Sequence, residues 1–506
     1  MPAHLPDPVP APEGAATTPG PTAAGAPGVV VDSPRGGIEA NGINVIAEHE
    51  RKGRPRDLFW PWFAANISVL GMSYGAWVLG FGISFRQAAV CSVLGVVASF
   101  LLVGFASLAG KVGSAPTMIL SRAAFGVRGN AVPTFIGYLI LIGWEIVLVS
   151  LATMATSTVA TRLGWGGGSA TKVVAFLVVV AIVCAAGVLG FDAVMRLQGV
   201  ITWATGVLTV VYMALTWSHV HWSAVTALPD GSAQSVLGAF IFLLTGFGLS
   251  WVNSASDYSR YLPRTASSAG VVGWTTVGAS VAPVVLVLFG LLLAGSDAKL
   301  SAAIGTDPIG ALTTLLPTWF LVPFAVVAIL GLVGGATLDI YSSGLTLLAL
   351  GLRTPRWVAA AFDGVLMVLG TIYVVWIAPD FLGPFQGFLI TLGVPLAAWV
   401  GIYLADLALR TRGYHDAALF DPRGVYGSVN AASLTLLAVG SVLGWGLVTS
   451  AAAGFTWQGY LLGLGLGGKT GPWAFANLGV LVALLVGFVG YLLVGRSTVR
   501  AQEAAA

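Results

Sequence analysis

The chain has 506 residues, 57% of them apolar and only 8% charged, with a formal net charge of +3. Soluble globular proteins carry about 25% charged residues, so 23 Lys and Arg with 20 Asp and Glu cannot coat a water-facing surface of this size. A cytosolic enzyme, a nucleic-acid binder and a disordered scaffold are thereby excluded, and a polytopic membrane protein remains.

Residues 1–37 are rich in Pro, Ala and Gly and lack the apolar core of a signal peptide. They offer too little apolar surface to offset ordering entropy and are expected to be disordered, leading into a cytoplasmic segment over 38–57. A helix needs about 20 apolar residues to cross the hydrocarbon. Twelve such runs follow, at 58–83, 86–109, 131–161, 171–190, 199–217, 235–256, 269–295, 319–351, 357–378, 385–409, 428–450 and 474–494. They are continuous, without the period-two alternation of a β-barrel, so the expected fold is an all-α integral membrane protein. Runs 131–161 and 319–351 are long enough to predict tilt or an unwound part. The tail over 495–506 is expected to be loose. Cys91 and Cys184 lie inside apolar runs, as packing residues do.

Two spans carry polar interruptions. Span 1 holds Asn66, Ser68, Gly71, Ser73 and Gly75, and span 6 holds Gly246, Gly248, Ser250 and Asn253 in mid-run. Small residues also permit close helix packing. A pair of interrupted helices at corresponding positions of two halves, however, marks the binding site of many secondary transporters. Spans 1 and 6 are five apart, as the first helices of two five-helix repeats would be. Unwound backbone there could offer carbonyls to a cation and amides to a substrate.

An ionisable group at mid-membrane costs about 2.5–3.5 kcal/mol or more and is a functional candidate by default. Glu145 of span 3 and Asp339 of span 8 qualify. Glu145 could accept hydrogen bonds from an amino group on a ligand, and either carboxyl could carry a proton, because a low-dielectric site disfavours the charged form. Asp257 lies beside Arg260 at the end of span 6 and suits an ion pair or a cap, whereas Asp363 and Asp406 fall near span ends and read as interfacial. All five histidines lie outside the runs. No nucleophile elbow, phosphate loop or metal-ligand spacing is present, so neither an enzyme nor a bound cofactor is expected.

The approach to span 1, GINVIAEHERKGRPRDLFWPWFAANISVLG, then SRAAFGVRGN (121–130), IGWE (142–145), SDYSRYLPR (256–264) and FLGPFQGFLITLGVPLAAWVGIYLADLALR (381–410), occur in this order. Together they resemble the purine–cytosine permeases of the nucleobase:cation symporter 1 family. The resemblance implies twelve helices, with a LeuT-type core of two inverted five-helix repeats over 58–217 and 235–409 and two peripheral helices over 428–494. It also implies uptake of a nucleobase such as cytosine or a purine, or a related planar heterocycle, coupled to a cation. Carried over by position, the ring that stacks on the substrate falls on Trp144. The second stacking aromatic falls on Gly248, where no ring exists, leaving Phe247 or Trp251 to substitute. Ser250 and the amides around Gly246 to Leu249 suit hydrogen bonds to a base. Sodium-dependent members use span 1 carbonyls, here at Ala65 and Ser68, with span 8 oxygens at positions held by Gly331, Gly334 and Gly335. These three supply no side-chain oxygen, and Thr337 is the nearby alternative. A proton, carried by Glu145 or Asp339, therefore stands ahead of sodium as the coupling ion.

An amino-acid:cation symporter on the same fold, a membrane-embedded enzyme and a channel are the competing classes. Trp144 and the permease segments weigh against the first, loops poor in carboxylates and His against the second, and the scarcity of polar stripes against the third.

Eighteen of the 23 Lys and Arg fall on one side if the N-terminus is cytoplasmic, leaving only Arg86, Arg162, Lys172, Lys299 and Lys469 outside. The positive-inside bias places both termini in the cytoplasm of a protein of the cytoplasmic membrane. A membrane-impermeant thiol reagent is expected to label a cysteine introduced at Ser232 in intact cells and to spare one at Ser267. The opposite pattern would invert the topology.

Overall fold

Within a bilayer a backbone must satisfy its own hydrogen bonds, so apolar runs of this length fold as helices. A computed structural model of the chain describes residues 41–378, 382–450 and 454–505. The expected disorder of residues 1–37 lies outside the described residues. Ten helices among them are long and apolar enough to cross a membrane. An eleventh span is the pair Pro55–Asn66 and Leu70–Leu79, bent by 67°, and a shorter apolar helix covers Ala431–Gly446. In order, span 1 is this bent pair, span 2 is Phe85–Gly113, span 3 Ala131–Arg162, span 4 Ser169–Leu189 and span 5 Phe191–Thr216. Spans 6 to 10 are Ala233–Ser259, Ser268–Ser296, Leu321–Ala349, Arg356–Ile377 and Leu382–Leu409. Spans 11 and 12 are Ala431–Gly446 and Leu478–Ala505.

Side-chain caps set several helix starts. Ser84 and Gln87 form a capping box before span 2. Ser232, Ser267 and Asn430 each accept a first-turn N–H at the starts of spans 6, 7 and 11. Span 5 begins at Phe191, eight residues before the expected 199, which brings Asp192, Arg196 and Gln198 into the helix.

Spans 1 and 6 occupy the centre. Spans 2 and 7 pack on each other to one side, and spans 3 and 8 on each other to the other. Span 8 also contacts spans 4, 5 and 9 and the first half of span 1, and is buried along most of its length. Spans 10, 11 and 12 form a group of their own beside this core. The second half of span 1 crosses span 7 backbone to backbone. A Cβ at Gly290 would strike Met72 O, and one at Gly75 would strike Leu291 N, so the crossing admits only glycine.

The expected loose C-terminal tail is corrected. Span 12 continues as helix to Ala505, because Glu503 accepts the N–H groups of Thr411 and Arg412 (2.7 and 2.8 Å) and Gln502 accepts from Arg410. Asp406 is likewise buried rather than interfacial, held by Arg410 (2.7 Å) and the Tyr491 hydroxyl (2.8 Å).

The segments between spans lock one end of the bundle. Arg122 donates to Ala349 O (2.9 Å) and Leu419 O (3.0 Å), and Trp399 Nε1 donates to Ser121 Oγ (2.9 Å). Asp257 accepts from the backbone and hydroxyl of Thr117 (2.9 and 3.1 Å), which realises the capping role expected of it. Arg260 donates to Gly42 O and to the hydroxyls of Tyr261 and Tyr341.

Candidate substrate cavity between two broken helices

Span 1 breaks at Ile67, where φ −83° and ψ 75° leave the helical region. Asn66 Nδ2 reaches back to Trp62 O (2.8 Å), and Ser68 presents its oxygens to the N–H groups of Leu70 and Gly71. Span 6 breaks at Phe247, whose φ −110° and ψ −113° interrupt a wide turn over Thr245–Leu249. The groups released there are taken up locally. Ser250 Oγ donates to Thr245 O (2.9 Å), Tyr74 OH to Gly246 O (3.3 Å), and Gly248 N to Ser99 Oγ (2.9 Å).

Between the two breaks lies a cavity. Eight of the expected site residues line it: Ala65, Ser68, Trp144, Gly246, Phe247, Trp251, Gly335 and Asp339. Asn66, Leu70, Gly71, Tyr74 and Leu148 complete the wall. Tyr74, whose ring packs on Phe247 at 4.6 Å, was not singled out by sequence, since an aromatic within an apolar helix has no local signature. Rings pack edge to face or tilted at both ends. Phe385 packs on Trp77 and Trp144 (5.8 and 5.6 Å) at one, and Trp62 on Trp251 and Tyr258 (5.6 and 5.5 Å) at the other. Two polar atoms of the lining are buried without a hydrogen-bond partner, Trp144 Nε1 and Asp339 Oδ2. They give the site one unpaired donor and one unpaired acceptor.

Six expected site residues lie elsewhere. Glu145 is fully buried but points away from the cavity, because successive helix positions diverge by about 100°. Its Oε1 accepts from Ser343 Oγ at 2.7 Å. Gly248 faces span 2, where a Cβ would collide with the Ser99 backbone, so no ring in this register could reach the cavity. Ser250 spends its hydroxyl on Thr245, and the Gly248 amide spends its N–H on Ser99. These backbone and hydroxyl groups are thus framework, not free donors for a base.

Gly331 and Gly334 lie beneath span 1. A Cβ on Gly331 would sit 2.7 Å from Ile67 O, and one on Gly334 would sit 2.9 Å from Ala64 O, so span 8 rests directly on the carbonyls of the broken helix. Thr337 Oγ1 donates to Gly334 O (3.0 Å) and accepts from Gln198 Nε2 (2.9 Å), which also donates to Gly334 O (2.7 Å). Gln198, fully buried on span 5, escaped the sequence reading because that span was started one residue after it.

Two helices broken in mid-span around one aromatic cavity define a secondary transporter. Residues 45–467 match the family described as permease for cytosine/purines, uracil, thiamine, allantoin. The chain belongs to this family and is a permease for small heterocycles of the nucleobase kind. It is 26% identical over 412 residues to the putative purine-cytosine permease YxlA of Bacillus subtilis (strain 168), covering 78% of this chain and 84% of the relative. Its fold matches the closed, bromovinylhydantoin-bound structure of Mhp1, a nucleobase-cation-symport-1 family transporter. The TM-score is 0.65 at 19% identity, over 92% of this chain and 98% of that one. The inward-facing conformation of Mhp1 matches at TM-score 0.60 and 18% identity, covering 90% and 96%. A Na+-coupled sialic acid symporter shares the fold at TM-score 0.56 and 12% identity, covering 88% and 91%.

Because Gly248 packs on backbone, Gly248→Leu is expected to lower folded yield by an overpacking cost of about 1–3 kcal/mol or more. Thermal unfolding of purified protein checks this. A variant of unchanged stability that merely loses substrate affinity would return Gly248 to the cavity.

Proposed function

We propose that the chain imports a nucleobase or a related planar heterocycle across the cytoplasmic membrane by alternating access, in symport with a proton. Spans 1–5 and 6–10 would be the two inverted repeats, with both termini cytoplasmic. The observation that carries the substrate reading is the lining of the cavity. Trp144, Trp251, Phe247 and Tyr74 surround it with ring faces, while Asp339 Oδ2 and Trp144 Nε1 wait for a donor and an acceptor. A flat, nitrogen-rich ring satisfies both demands, stacking on an aromatic face for roughly 1–3 kcal/mol and donating a ring N–H or amino hydrogen to the carboxylate. The names of YxlA and of hydantoin-bound Mhp1 point the same way for those proteins. The two conformations of Mhp1, closed and inward facing, support alternating access as the mode of this fold.

The preference for a proton rests on span 8. A hard cation wants several oxygen ligands. Here glycines face the span 1 carbonyls, Thr337 is engaged, and the amide hydrogens of Gln198 point at Gly334 O and Thr337 Oγ1.

Proteoliposome uptake of labelled cytosine, uracil, hypoxanthine and allantoin tests the reading. Accumulation is expected to follow an imposed pH gradient and to ignore replacement of sodium by choline. Trp144→Ala should weaken binding of the transported base by roughly 1–3 kcal/mol, about 10- to 100-fold, in protein that still folds. A strict sodium requirement would overturn the proton reading, and undiminished affinity in Trp144→Ala would overturn the stacking role.

A further inference from the structure

Behind the cavity, between spans 3, 8 and 9, lies a second polar cluster. Ser343 Oγ donates to Glu145 Oε1 at 2.7 Å and also contacts Asp363 Oδ2, while Tyr138 OH donates to Asp363 Oδ1 at 3.2 Å. The one Ser343 hydroxyl thus touches both carboxyl groups. Both residues are fully buried, and Glu145 Oε2 has no hydrogen-bond donor. Asp363 was expected at the interface. It lies two turns inside span 9 instead.

The arrangement constrains its own protons. A serine hydroxyl has one hydrogen and can donate to only one carboxylate. Contact with the second requires that a carboxyl supply a proton. The ionisable groups facing the pair are Tyr138 on span 3, Asp339 on span 8 and Cys184 on span 4. All are neutral or acidic, and among the described residues neither carboxyl is hydrogen-bonded or ion-paired to a Lys, Arg or His. A second uncompensated negative charge in this apolar setting would be prohibitive. The minimal occupancy is therefore one proton, held as an internal hydrogen bond, with one negative charge remaining.

We propose that the Glu145–Asp363 pair, bridged by Ser343, is the proton-binding site of the symporter. It keeps one proton throughout and binds a second, cycling between a charge of −1 and neutrality. The transported proton arrives from the outer solution and leaves to the cytoplasm, with no bond broken other than its own O–H. Ser343 lies four residues after Asp339 on one face of span 8, and Glu145 follows Trp144 on span 3. The charge state of the pair is thus sensed within one helical turn of two residues that line the cavity. This inference rests on the proton reading above and deepens it by giving the proton a place.

Glu145→Gln and Asp363→Asn are each expected to lose pH-driven accumulation of the four labelled substrates by about tenfold or more. The infrared spectrum of the wild-type protein should show a buried carboxylic-acid C=O band that either substitution removes, and this measurement does not depend on a variant's ability to transport. If the wild type ignores the pH gradient, proton coupling falls and the site falls with it. If the wild type responds but both variants still accumulate, the pair is structural and coupling resides elsewhere. A wild-type spectrum without the protonated-carboxyl band also overturns the proposal. Variants that fold poorly leave that spectrum as the deciding result.

Discussion

Inside a bilayer, a backbone N–H or C=O without a partner costs several kcal/mol, and both helix breaks are built around that constraint. The span 6 break survives because three side chains from different places close it: Ser250 from the next turn, Tyr74 from span 1 and Ser99 from span 2. Tyr74 therefore joins the two broken helices to each other through Gly246 O. Once those groups are committed, the unwound backbone has less to offer a ligand. Recognition passes to side chains, among them the four rings and the one carboxylate of the lining.

The same constraint shapes span 8. Its glycines let the helix lie against the carbonyls of Ala64 and Ile67 without intervening side chains. Glycine in a helix interior costs about 0.5–1 kcal/mol relative to alanine, so a cluster at 331, 334 and 335 needs a packing reason, and this close approach is one. The approach also consumes the volume in which side-chain oxygens on span 8 would be presented to an ion, and the buried Gln198 spends its amide hydrogens on Gly334 O and Thr337 Oγ1 while its Oε1 stays unpartnered. Polarity at this seam is that of a neutral hydrogen-bonded joint.

The helical class, the run positions and the two breaks were legible because each is a local property of sequence: apolar length, and clustered Gly, Ser and Asn within it. Facing was not. Phe247 and Gly248 are neighbours, yet the non-helical angles at Phe247 turn one toward the cavity and the other onto Ser99. No periodicity argument holds across such a point. Gln198 and Asp363 were misplaced for a different reason, since Gln198 fell just outside a run and Asp363 lies within two turns of the start of one. Their burial is decided by span 8 more than a hundred residues away in one case and by a Ser343 contact in the other. The permease segments were recognisable but belong largely to the frame. Ser121, Arg122 and Arg260 tie helix ends together rather than touching the cavity, and so they identify the architecture more strongly than the substrate.

Trp144 and Glu145 show how one helix can serve two purposes. Adjacent positions diverge by about 100°, so the ring enters the cavity while the carboxyl enters the seam with spans 8 and 9. Any motion that rotates span 3 against span 8 moves both together. A rotation that shifts the Trp144 face by a few ångströms must also lengthen or redirect the Ser343 bridge, because that bridge spans the moving boundary at 2.7 Å. If the pair carries the transported proton, its loss leaves one retained proton and one uncompensated negative charge in an apolar seam, and that charge acts across the same boundary. Substrate and proton need no direct contact to be coupled in this geometry; the rigidity of span 3 between residues 144 and 145 is sufficient.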